Sequence, residues 1–483
     1  MHRLLPIISL ILLTLLSFAR PAVGDLPELN EGAYGGMTPD REYRLGRAWA
    51  RSLRGQAKQL PDPVTGQYLE SLVWKLAAQS ELTDHRLEIF VLDNPAFNAF
   101  AVPGGVIGLH SGLLLAAQTE GELASVLAHE LAHLSQRHFA AQLEEQRRNQ
   151  PFMVAALLAS LLVAAADGEA GGAALSSTLA ASQRAQLAFS RQNEREADRI
   201  GMQNLVAAGY PADAMPAMFG RLLEAYRFAS RPPEFLTTHP VTEARIADSA
   251  GRAAQLGRSR GTISGDSLSF SLVKPRVVAY HSDNPEQLLA RLQGQLKESN
   301  QPQQRQQLLY SVFTTAVTAR RFEQANQAYQ QLNDSMKTHW LIRLTRAEQA
   351  LAERRHEAAL SELEQLRKLY PDHYPIEQRY AEALHQAGHS RPALQTYRAL
   401  ALKRPTDSLI HYQLAEMYGL ADDRIGVHQA RTEYFLLTGN VDRALRQIKF
   451  ALREPGLSDS DRALLQRLEQ EAKQVREDME LDY

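Results

Sequence analysis

Apolar positions change their spacing several times along this chain, and each change marks a different kind of element. The first run, Leu4–Phe18, is continuously apolar behind His2 and Arg3 and stops at Arg20-Pro21. It is short for a bilayer span. With Ala22-Val23-Gly24 placing small residues ahead of Asp25, residues 1–24 read as a cleavable secretory signal peptide. From Thr38 to Ser80 the spacing is helical. Arg44–Gly55 is rich in Arg, Leu and Ala, and Val64–Ala78 follows the Pro61-Asp62-Pro63 turn with Leu69, Leu72, Val73 and Leu76 on one face. Leu87–Leu92 is then β-branched and aromatic and ends at Asp93-Asn94-Pro95, the pattern of a strand. Asn98–Ala101 leads into a turn at Pro103-Gly104-Gly105, and Val106–His110 reads as the returning strand. This pair is either a plain hairpin packed on the next helix or an edge on which an extended substrate is laid.

Helical spacing resumes with Leu123, Leu127, Leu131 and Leu134, behind a capping box of Thr119 and Glu122. Phe152–Ala166 is apolar, uncharged and again too short to span a bilayer. It reads as a buried core helix, a cover over a site, or a patch in peripheral contact with a membrane. Ser190–Val206 is helical and stops at Gly209-Tyr210-Pro211.

From about Gln287 the chain takes up a 34-residue period. Ala325, Ala359 and Ala393 keep that step, as do Leu332, Leu366 and Leu400, and Ala347, Ala381 and Ala415. Small residues at fixed places permit close helix–helix approach, and Pro371 and Pro405 end the second helix of each unit. This is the tetratricopeptide pattern, a stack of helix pairs with a concave binding surface. The period slips after Tyr418, and Gly439–Leu452 reads as the second helix of a further unit, giving four repeats.

Composition narrows the chemistry. The 483 residues are 44% hydrophobic and 22% charged with a net charge of −2, so no basic excess is present to neutralise phosphates and a nucleic-acid partner is disfavoured. No cysteine is present, which removes thiol catalysis and thiolate-held zinc and leaves His, Asp and Glu as ligands.

His129-Glu130-Leu131-Ala132-His133 supplies such a set. On a helix His129 and His133 are one turn apart on one face, where two imidazoles can hold one zinc ion. They lie roughly opposite the leucine stripe, so they are expected to face a cleft. Glu130 beside the first ligand can take a proton from a water that the metal polarises. On the later helix, Glu194 and Asp198 share a face. A carboxylate from a second helix completes a His₂Glu catalytic site, and an acid one turn on can hold a ligating imidazole by its other nitrogen.

These pieces resemble the gluzincin peptidases that include the HtpX-type heat-shock proteases and the CAAX prenyl proteases. The resemblance runs from about Tyr43 to Gly257 and rests on four elements in order: Asn98–Gly105, His129–His133, Glu194–Asp198, and Thr238-His239-Pro240 with Arg245. It implies one zinc ion per chain and Glu194 rather than Glu196 as the third ligand, being the position four before Asp198. It also implies that His239 and Arg245 line the site. They either stabilise the oxyanion of the tetrahedral intermediate, or His239 moves onto the metal as a fourth ligand and closes the site. His138 is at the wrong offset for a further ligand and is expected at the surface.

The expected fold class is mainly α (α+β). A gluzincin metallopeptidase domain with a small β-sheet over 25–265 is followed by a connecting segment over 266–300 and an α-solenoid of tetratricopeptide repeats over 301–483. After the signal peptide no run is long enough to span a membrane, unlike in the family members above. Signal, soluble protease domain and repeats together resemble the envelope proteases of Gram-negative bacteria that assist outer-membrane barrel assembly. That resemblance implies a periplasmic zinc metalloendopeptidase with a chaperone-like role. Its partners would be the outer-membrane barrel-assembly machinery and stalled barrel proteins, met through the repeats. The alternative is mainly a scaffold whose zinc site is latent.

Overall fold

The computed structural model describes residues 38–142, 191–227, 234–256 and 267–480. The signal-peptide reading of 1–24 and the readings of Phe152–Ala166 fall outside them. Two helices open the described chain, Pro39–Gln56 and Pro63–Ala77, each with proline in its first turn and a capping side chain, Thr38 and Asp62 respectively.

The sheet departs from the expected hairpin. It has three strands, β1 (Glu88–Leu92), β2 (Ala99–Val102) and β3 (Val106–His110), in the order β1-β3-β2. β3 lies in the middle, parallel to β1 and antiparallel to β2. Asn98–Ala101 therefore belongs largely to a strand rather than to a lead-in. The chain leaves β1, runs along the far edge as β2, and turns at Gly104 and Gly105, both at positive φ, into the central position. Phe100 pairs with Gly108 and lies over it, where a Cβ would stand within 2.2 Å of two ring atoms. Trp49 meets the same ring edge-on at 5.3 Å. That packing fastens β2 to β3, while the parallel pairing with β1 makes β3 central, and alternation along the chain carries no sign of either.

The repeats are paired helices at a constant step. Their second helices begin at Phe322, His356, Ser390 and Arg424, 34 residues apart. The turn before each puts Arg320, Arg354, Gly388 and Asp422 at positive φ. The alanine and leucine columns are all buried. The expected slip after Tyr418 is absent. The residue columns lose their identity there, yet Arg424–Leu437 keeps the register. Gly439–Leu452 holds the helix Val441–Ala451, which follows that second helix and so opens the next pair rather than closing one.

The solenoid meets the N-terminal region at several points along its length. At the far end, Leu437 accepts from the Arg54 guanidinium at 3.4 Å, and Gly55 lies so close to Thr438 that a Cβ would stand 2.4 Å from its carbonyl oxygen. At the near end, Arg276 of the helix Leu268–Tyr280 holds Asp62 with two bonds of 3.1 and 2.8 Å and Glu348 with two of 2.8 and 2.9 Å. Burial pushes the Asp62 carboxyl up, but Arg276 and Arg379 outweigh it and hold the group well below the carboxylate range. Arg276→Leu leaves two largely buried carboxylates short of their partner. It is expected to cost about 3 kcal/mol, read as a lower thermal midpoint; an unchanged midpoint refutes the clamp.

Candidate metal centre

The helix Glu120–Ser135 carries the H-E-x-x-H residues. Thr119 accepts from the Glu122 N–H at 3.1 Å, while the Glu122 carboxylate accepts from Gln118 N–H at 2.7 Å, one residue earlier than a capping box requires. The leucine stripe is buried as its spacing predicts, but so is the opposite face. His129, Glu130 and His133 are 1%, 1% and 5% exposed. A helix with apolar and polar faces both covered lies at the centre of its domain, so the histidines do not line an open cleft.

What covers them is the helix Arg191–Ala207. Its Glu194, Ala197, Asp198 and Gly201 turn inward, while Arg191, Arg195 and Arg199 stay in solvent. The approach is close because the contact residues are small. A Cβ on Gly201 would stand 3.0 Å from the Ala128 carbonyl oxygen and 3.1 Å from His129 Cα. Ala132, Ala197 and Ile200 fill the next turn of the contact.

His129, His133, Glu194 and His239 come together, each with one ligand atom within 4.8 Å of the others. His133 Nε2 lies 3.0 Å from His129 Nε2 and 3.4 Å from Glu194 Oε1. His239 Nδ1 is 3.0 Å from Glu194 Oε1 and 3.4 Å from His129 Nε2. It is delivered by the short helix Glu234–Thr238, whose Phe235 carbonyl accepts the His239 N–H at 2.7 Å. Asp198 Oδ1 is 3.1 Å from His129 Nδ1, on the side away from the cluster.

Arg245 lies behind these acids. Its guanidinium makes bonds of 2.8 and 2.7 Å to the two Asp198 oxygens and a third of 2.8 Å to the Pro240 carbonyl, and it stands 2.8 Å from Glu194 Oε2. With this engagement it supports the acids, which differs from the expected place at an oxyanion.

The charges do not balance among themselves. Glu130, Glu194 and Asp198 are all buried, and Arg245 is the one buried guanidinium set against them among the described residues. The buried acids thus outnumber the buried guanidinium, a negative surplus that a cation would offset. Glu130 Oε1 is a buried oxygen without a hydrogen-bond partner, 3.7 Å from His239 Nε2. The same surplus acts on His129: burial pulls its ring down, yet Asp198 and Glu194 raise it to about 9. A cation at Nε2 satisfies the field that otherwise holds a proton there. Burial raises the Glu130 carboxyl against the lowering pull of His239 and His129.

His138 corrects the sequence reading. It is 4% exposed, and its Nδ1 lies 2.9 Å from His133 Nδ1. The helix ends at Ser135 and Arg137 adopts φ 52°, which folds the next residue back under the motif. No periodic signal carries such a turn, so spacing alone misses it.

Residues 63–253 match peptidase family M48, and residues 350–417 match a tetratricopeptide repeat family. The beta-barrel assembly-enhancing protease of Escherichia coli K12 is 31% identical over 437 residues, covering 89% of this chain and 88% of that protein. A putative beta-barrel assembly-enhancing protease of Vibrio cholerae is 40% identical over 258 residues, 53% of each chain. The mitochondrial metalloendopeptidase OMA1 of Schizosaccharomyces pombe is 28% identical over 225 residues, 46% of this chain and 64% of that one. Among the described residues no helix is long and apolar enough to cross a membrane. With catalytic region and repeats both matched in a relative over nearly its whole length, the chain belongs to the beta-barrel assembly-enhancing protease family, a peptidase family M48 metallopeptidase joined to tetratricopeptide repeats.

Proposed function

We propose that this is a periplasmic zinc metalloendopeptidase that acts in outer-membrane barrel assembly and degrades misassembled barrel proteins. The observation that carries the catalytic part is the buried His129, His133, Glu194 and His239 cluster with its surplus of buried acids. His129 and His133 offer Nε2 and Glu194 a carboxylate oxygen, a donor set that suits zinc. Bound there, zinc supplies a Lewis acid for the scissile carbonyl and acidifies a water. Glu130 would act as the base that takes a proton from an attacking water and as the acid that returns it to the leaving amine. Asp198 fixes the His129 ring through Nδ1, and Arg245 fixes Asp198 and Glu194.

β2 is the strand beside this machinery. Its Ala101 backbone hydrogen-bonds Glu130, and its outer side has no strand partner among the described residues. An extended substrate added to that edge would run beside the strand that contacts Glu130. The export signal read in residues 1–24 and the names of the relatives support the periplasm and the barrel-protein clients. The repeats would engage the barrel-assembly machinery.

Zinc analysis of the purified chain tests the metal assignment. Asp198→Asn is expected to weaken zinc binding about 10- to 100-fold, measured by chelator competition. Unchanged affinity removes Asp198 from the site. A second reading, a scaffold with a latent site, is favoured by the nearness of His239 to the ligands. Complementation of envelope defects by Glu130→Gln separates the two, since full rescue supports the scaffold.

A further inference from the structure

The two histidines of the motif are held in unlike ways. His129 turns Nε2 to the cluster and Nδ1 to the Asp198 carboxylate. His133 also turns Nε2 to the cluster, but its Nδ1 meets a third imidazole, His138, at 2.9 Å. A neutral imidazole that offers Nε2 to a metal carries its hydrogen on Nδ1. The His133 Nδ1–H then needs an acceptor in a region closed to water, and His138 Nδ1 is in place. As acceptor there, His138 carries its own hydrogen on Nε2. That atom lies 3.5 Å from Glu196 Oε2. The three acids of Glu194-Arg195-Glu196-Ala197-Asp198 thus divide: Glu194 faces the cluster, Asp198 meets His129, and Glu196 stands behind His138.

The backbone is built for this placement. Arg137, a residue with a Cβ, holds the left-handed conformation that aims His138 back beneath His133. It is held there by Glu42 of the first helix, which accepts from Arg137 Nε at 2.8 Å. The His133 and His138 rings meet edge-on with centroids 5.0 Å apart. His138 lies on the far side of His133 from the cluster, so it does not serve as a ligand.

We propose that His138 is a positioning residue of the metal centre: its Nδ1 accepts the Nδ1–H of His133 and fixes the tautomer and ring orientation that present His133 Nε2 to the metal. This rests on the zinc reading above.

The test is chelator competition for zinc on the full chain, with cobalt(II) absorption spectra as a second readout. His138→Phe keeps a ring and loses the acceptor. His138→Gln moves the acceptor away from the Nδ1 position. Both are expected to release zinc about 10- to 100-fold more readily and to alter the cobalt bands. His138→Asn keeps an oxygen near the Nδ1 position and is expected to stay within about threefold of the parent with an unchanged spectrum. If Phe does not fold, the Gln and Asn pair carries the comparison. Equal zinc retention in all variants, or equal loss in Asn and Gln, overturns the proposal. A parent chain that binds no zinc sinks the zinc reading itself, whereas zinc-loaded parent and variants alike sink only the role of His138.

Discussion

Glu130→Gln is expected to keep the metal and to lose at least a hundredfold, and up to about ten-thousandfold, in turnover of an unfolded protein substrate. The substitution preserves size and burial and removes only the ability to accept a proton. Glu130 is not one of the clustered donors, so zinc content should match the parent. Its carboxylate is the group best disposed to move a proton. It is buried, its carboxyl is pushed up by that burial, and it carries an oxygen without a hydrogen-bond partner beside the cluster. The measurement is zinc stoichiometry alongside cleavage of a denatured substrate. Substantial residual hydrolysis by the zinc-loaded variant would remove Glu130 as the base.

His239→Ala is expected to act in the opposite direction and raise hydrolysis about tenfold or more. Three protein donors leave a catalytic zinc one position for water, and a fourth donor closes the site. His239 stands within 3.0 Å of Glu194 Oε1 and 3.4 Å of His129 Nε2, close enough to be that fourth donor. It sits at the end of a five-residue helix, tied to Phe235 by one backbone bond and by ring contact at 4.9 Å. An open state that makes up a tenth of the population or less gains about tenfold or more when the latch is removed. Unchanged or lower hydrolysis with zinc retained would count against the latch. If His239 instead serves the oxyanion, activity falls, so the sign of the change separates the two roles.

The two motifs differ in how far they can be read. H-E-x-x-H is local, since a helix places residues four apart on one face whatever surrounds it. The repeats are local for the same reason: each helix pair touches only its neighbours, so the alanine and leucine columns print the period into the chain. Glu194 is legible as a carboxylate in the right pattern. Its arrival beside His133 depends on a helix crossing at which Gly201 has room. His138 is not legible, because a left-handed Arg137 and a Glu42 contact from a distant helix decide where it points. Arg245 was legible as a partner of the site but not in its direction, which three separate acceptor groups set together.

By itself the sequence determined the helical motif with its candidate ligands, the carboxylate pair on a second helix, and the register of the repeats as far as Tyr418. All of these follow from spacing within one element. Only the tertiary structure decided that β3 lies between β1 and β2, and that the motif helix is buried on every side. It alone brought His138 and Arg245 behind the ligands and the solenoid onto the N-terminal region. Those outcomes depend on contacts between residues far apart in the chain, whose geometry no local period encodes.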